Sequence, residues 1–167
     1  MKTVFLLTLV SLSCFSVTAA DAGKHLFLLS GQSNMSRFQH KQFFIPAVQA
    51  AYGADKVIII KNAQGGQPIS KWYKAWTSSS GEKPEKTGQL YDSLIENIKE
   101  ETTGIKIKSV TFIWMQGEAD VKTGNVDVYA ESFKGLLGQL EKDLNRKDIN
   151  IIIGRLSVFG LKNRSNP

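Results

Sequence analysis

The sequence predicts an α/β fold in three layers, with helices packed on both faces of a parallel sheet. Two observations carry that prediction. Short, unbroken apolar runs mark strands buried on both faces, and a segment with helical spacing separates each run from the next. The composition agrees: 167 residues with 42% hydrophobic and 22% charged side chains fit one globular domain. They exclude disordered, collagen-like and coiled-coil chains.

Residues 26–30 (Leu-Phe-Leu-Leu-Ser) form the first apolar run. Phe44–Tyr52 has a modest helical pattern, and its Pro46 is tolerable in a first helical turn. Residues 57–60 repeat the strand pattern. Leu90, Leu94, Ile95 and Ile98 then follow helical spacing, with Gly104 placed where a glycine ends a helix. Residues 110–115 form the third run. The clearest helix comes next: Tyr129, Phe133, Leu136, Leu137, Leu140 and Leu144 trace one face, weakened slightly by Gly135 and Gly138. Ile149–Ile153 is the fourth run, and residues 154–167 are too few for another helix and strand. A sheet of four strands is therefore expected. Residues 77–88 form the one long polar loop, read as a surface insertion.

Ahead of the domain, which spans 21–167, residues 1–20 read as a secretory signal peptide. Lys2 supplies a positive start, residues 4–10 an apolar stretch, and Thr18-Ala19-Ala20 a small-residue cleavage site. The stretch is too short to span a membrane. Its removal would take Cys14, the single cysteine, so the exported protein must be held by its core rather than by disulfides. A secreted or periplasmic location follows. The net charge of +6 is spread along the chain without a basic cluster, which argues against a nucleic-acid partner.

Three polar motifs follow strands directly: Gly31-Gln32-Ser33-Asn34-Met35, Ala63-Gln64-Gly65-Gly66-Gln67, and Gln116-Gly117-Glu118-Ala119-Asp120. In an open parallel sheet, ligands bind beyond the carboxyl ends of the strands, so all three fall at one functional edge. The first motif lacks the glycine spacing and lysine of a phosphate loop, which disfavours a nucleotide-binding module.

In this order the motifs resemble the sialate O-acetylesterase/acetylxylan esterase branch of the SGNH hydrolases, from about His25 to Leu156. The resemblance implies a flavodoxin-like hydrolase that removes acetyl groups from carbohydrates, with no cofactor and no metal. It implies Ser33 as nucleophile; the alternative is a serine capping the next helix. It makes the backbone N–H groups of Ser33 and Gly66 and the side-chain amide of Gln116 the oxyanion donors. Gly65 is able to replace Gly66, and Gln116 also reads as a strand-end hydrogen bonder. Glu118 is expected to bond the Gln32–Asn34 turn and orient Ser33, against the alternative of a solvated loop carboxylate. Asn34 reads as a bond across loops, and Asp120 as a cap or a substrate contact. Trp72, Tyr73 and Trp76 suggest a sugar-stacking rim, with core packing the equal alternative, and Arg155 is a further candidate for the cleft.

The family places its base and orienting acid in an Asp-x-x-His motif near the carboxyl terminus. The only histidines here are His25 and His40, preceded at three residues by Ala22 and Arg37. His25 starts the first strand, roughly 16 Å from the functional edge at about 3.3 Å per residue. His40 reads as a loop histidine. By that resemblance the sequence is expected to represent an esterase domain whose sheet lacks its last strand together with that segment. The competing reading is a non-catalytic remnant or glycan-binding domain.

Overall fold

A computed structural model describes residues 23–155. The expected signal peptide at 1–20 lies outside the described residues, as does everything after Arg155.

Among the described residues four strands form one sheet: β1 (Lys24–Gly31), β2 (Val57–Ala63), β3 (Ile107–Met115) and β4 (Ile149–Ile153). Every pairing is parallel and the order is β2-β1-β3-β4. The chain steps outward from β1 to β2 on one side and to β3 on the other. The direction of winding therefore reverses between β1 and β3, where a parallel sheet leaves a crevice for ligands.

The helices are α1 (Ser33–Arg37), α2 (Phe44–Tyr52), α3 (Gln89–Thr102), α4 (Glu118–Lys122) and α5 (Val126–Asp143). Alternation along β1 sends Leu26 and Leu28 to one face and Phe27 and Leu29 to the other. On the first face they meet Tyr91, Leu94 and Ile98 of α3 and Leu136 and Leu140 of α5. On the second they meet Met35 of α1 and Val48 of α2. This is the expected three-layer α/β/α arrangement. Gly104, with φ of 74°, ends α3 as its spacing predicts. Gly135 has a use beyond helix propensity, since a Cβ there would lie 2.3 Å from the Tyr73 ring.

The Ile69–Lys71 turn follows the second motif, buries Ile69 in the α3/α5 layer and carries the chain into Trp72. Trp72 is fully buried, in edge-to-face contact with Trp114 of β3 at 5.1 Å between ring centres. At the outer side, β4 leaves Ile152 and Ile153 more than half exposed.

Candidate active site

The three motifs meet because the backbone at Gly31 permits it. Gly31 has φ of 140°, and a Cβ there would stand 2.1 Å from the Met115 carbonyl oxygen. No other residue type fits that approach. The N–H of Gln32 donates to the same Met115 carbonyl at 2.9 Å, and the N–H of Gln64 donates to the Gly31 carbonyl at 3.1 Å. The carboxyl ends of β1, β2 and β3 are thus tied together at one residue.

Ser33 is the first residue of α1, and Gln32, not Ser33, stands at the N-cap position without a side-chain cap bond. The capping alternative for Ser33 is therefore set aside. Ser33 is half-buried, and its N–H lies among the first-turn donors that an α-helix leaves without an internal partner. Gly65 faces it: a Cβ at position 65 would lie 3.7 Å from the Ser33 Cβ. Gly66 adopts φ of 73° with open space on its Cβ side. The second motif therefore touches the Ser33 turn through Gly65, with Gly66 at the next step of the loop.

Glu118 joins the first motif to the third. Gln32 Nε2 donates to one of its carboxylate oxygens, and Asn34 Nδ2 donates to the other at 2.5 Å. The residues on either side of Ser33 are thus held by one half-buried carboxylate from β3's end. Bonds to a charged acceptor are roughly twice as strong as neutral ones.

Gln116 has a different use from the one expected. Its Nε2 donates to the Gln67 carbonyl at 3.0 Å and to Asp120 at 2.5 Å, which commits both of its N–H groups. In this arrangement the amide braces the second loop and has no N–H left for an oxyanion. The cause is Asp120, whose carboxylate is fully buried and draws the amide toward itself. Asp120 also accepts the backbone N–H of Ile69 at 3.0 Å, so it anchors the second loop at its far end. Burial raises its pKa above the ordinary carboxylate value, and the bonds from Gln116 and Ile69 pull the other way.

The rim expected of Trp72 and Trp76 is corrected by their burial, at 0% and 6% exposed. The physical reason is the fold of the Ile69–Lys71 turn, which drives both indoles into the α3/α5 layer. Tyr73 is half-buried against α5. Arg155, exposed, borders a mostly apolar cavity of about 330 Å³ beside Gln116, Tyr129 and Ile153.

Tyr129 is a residue that the sequence reading uses only as core. Trp114 Nε1 donates to its hydroxyl, which donates to the Gln116 carbonyl at 2.8 Å. Burial pushes its pKa up to about 12, so the phenol stays protonated and keeps donating at any ordinary pH. No local motif signals this role; only its position on the inward face of α5 does.

Neither histidine joins the site. His25 lies at the amino end of β1, paired with the Ser109 hydroxyl at 2.7 Å and packed on Tyr52. His40 turns toward its own loop, with Nδ1 3.4 Å from the Phe38 carbonyl.

The fold has counterparts among known proteins. A protein from Arabidopsis thaliana of known crystal structure superposes with a TM-score of 0.60 at 20% identity, over 78% of this chain and 73% of that one. A carbohydrate acetylesterase from Xanthomonas citri superposes with a TM-score of 0.52 at 14% identity, over 77% of this chain. The match spans 40% of the Xanthomonas protein. At these identities the likeness concerns the fold alone. No curated protein sequence matches the chain. The family model for carbohydrate esterases, sialic acid-specific acetylesterase, matches residues 37–166, beginning just past the Ser33 turn. That match covers most of the sequence, and the chain belongs to this carbohydrate esterase family.

Proposed function

We propose that the chain carries the nucleophile and oxyanion site of a serine esterase that removes O-acetyl groups from carbohydrate, and that it works after export, in the periplasm or outside the cell. The observation that carries this reading is the Glu118 carboxylate, which grips Gln32 and Asn34 on both sides of Ser33. A solvated loop carboxylate has no reason to bond both neighbours of one serine, whereas a nucleophile needs its hydroxyl held in place.

In the proposed reaction, Ser33 Oγ attacks the acetyl carbonyl while a base takes its proton. The oxyanion forms against the N–H groups of Ser33 and Gly66, and Gln116 supports the loop that carries Gly66. Collapse expels the sugar oxygen, which receives the proton, and leaves an acetyl-serine. Water then attacks the acetyl group, restoring Ser33 and releasing acetate. His25 and His40 do not supply the base. The resemblance assigns that role to an Asp-x-x-His segment, which this sequence does not contain.

The commitment of both Gln116 N–H groups favours a second reading, a glycan-binding domain with the cleft but no turnover. Hydrolysis of an aryl acetate by the chain and by Ser33→Ala separates the two. Catalysis predicts a rate above buffer that Ser33→Ala lowers by at least about a thousandfold. Equal rates at the level of buffer would overturn catalysis by this chain. Binding of acetylated xylo-oligosaccharides, seen by calorimetry in both proteins, would then favour the second reading.

A further inference from the structure

We propose that Lys61 is a positioning residue for Ser33, holding the far end of the helix on which Ser33 is the first residue. The proposal rests on the reading of Ser33 as nucleophile. Helix α1 has five residues, far fewer than the roughly 12–15 at which an isolated helix becomes even marginally stable. It needs outside support at both ends. Glu118 supplies it at the start, and the fully buried Met35 fixes the middle against the sheet.

Lys61 supplies it at the end. Its Nζ donates to the Ser36 carbonyl at 2.7 Å and to the Phe38 carbonyl at 3.1 Å. These are carbonyls at and just past the last turn, where a helix leaves acceptors unpaired and a cation is favoured. The placement is unusual for a lysine. It follows three isoleucines in β2 and pairs in register with Leu29, on the face that also packs Ile59 and Ala63. An alkyl residue would suit that face better, and desolvation there already lowers the Lys61 pKa. What the position gains from an ammonium group is the two carbonyl bonds to α1.

A displacement of about 1 Å at a reacting atom is able to cost 10²-fold in rate. Two variants test the proposal: Lys61→Met keeps the stem and removes the charge, and Lys61→Arg keeps donors. In Lys61→Met, amide hydrogen exchange in residues 32–38 should rise about tenfold or more, while exchange in β1 and β3 stays at the wild-type level. Turnover of an aryl acetate should fall about 10–100-fold in kcat with KM unchanged, and Lys61→Arg should restore most of both.

Wild-type exchange in residues 32–38 of Lys61→Met would overturn the proposal. So would a rise spread evenly over the sheet, which would mark a general structural role. If wild type and Ser33→Ala prove equally inactive, the nucleophile reading falls, and the local exchange change still decides whether Lys61 pins α1.

Discussion

The two faces of the sheet hold their helices by different means. Under α3 and α5 the buried core includes Trp72, Trp76, Trp114, Phe112 and Tyr91. Under α1 and α2 the buried residues are Phe27, Leu29, Met35 and Val48. Burying a large apolar side chain contributes about 1.5–3 kcal/mol, so the first face fixes its helices mainly by packing, with polar bonds such as Tyr91 to Asp143 added to it. The second face, which carries Ser33, is thin, and there side chains reach in from outside: Glu118 at one end of α1 and Lys61 at the other. The comparison teaches that the stability of the fold and the placing of Ser33 are largely separable here, because they rest on opposite layers.

Substitutions on each face break that comparison in different ways. The largest effect is expected for Trp72→Ala, which empties the centre of the thick layer. It should lower unfolding stability by about 3–5 kcal/mol, read from urea unfolding, and abolish any activity only by unfolding the chain. Met35→Ala on the thin layer should cost less, about 2–3 kcal/mol, near the bottom of the range for such truncations. It should reduce aryl acetate turnover under conditions where the protein is still folded by circular dichroism. A Met35→Ala protein with full activity would show that the thin layer does not position Ser33.

The smallest effect concerns Asp120, the buried carboxylate that meets the thick layer at Ile69. Its pKa is raised in the folded state, mainly by burial, from an ordinary value of 3.8. The folded protein therefore binds this proton more tightly than the unfolded chain does. The stabilisation it brings is fully present below about pH 3.8 and is lost as pH rises through the raised value. Asp120→Asn should flatten that part of the stability curve in urea midpoints measured from pH 3.5 to 7. An unchanged slope would mean that Asp120 titrates as an ordinary carboxylate.

Much of the fold is legible in the sequence because buried strands have no polar alternation to obscure them. Residues 26–30, 57–60 and 110–115 each lie inside an observed strand, and the helix at Phe44–Tyr52 and the strand at Ile149–Ile153 coincide with observed elements. The site is legible only as far as motif order carries it. That Gln32, Asn34 and Glu118 come together is visible from the motifs; what Asp120 and Tyr129 do is not, because each binds a main-chain group, the Ile69 N–H and the Gln116 carbonyl, that no residue pattern marks. The tryptophans show the limit most clearly. An indole after a polar loop suits a rim as well as a core, and only the burial of the Ile69–Lys71 turn in the α3/α5 layer decides between them. Lys61 escapes notice for the opposite reason, since one charged residue at the end of an apolar run looks like the strand leaving the core.

Gly31 governs more than a tight turn. Because its missing side chain lets the ends of β1 and β3 touch, the Gly31–Met115 contact helps to set the gap between Ser33 and Glu118, beside the bonds from Gln32 and Asn34. The long stretch of chain that separates them in sequence contributes little to it. The two halves of the site are riveted at that point and share whatever displacement reaches it. Inserted residues in the loops between 37 and 107 would leave the rivet untouched. A single methyl group at position 31 would drive the two halves apart together, with no neighbouring side chain able to yield.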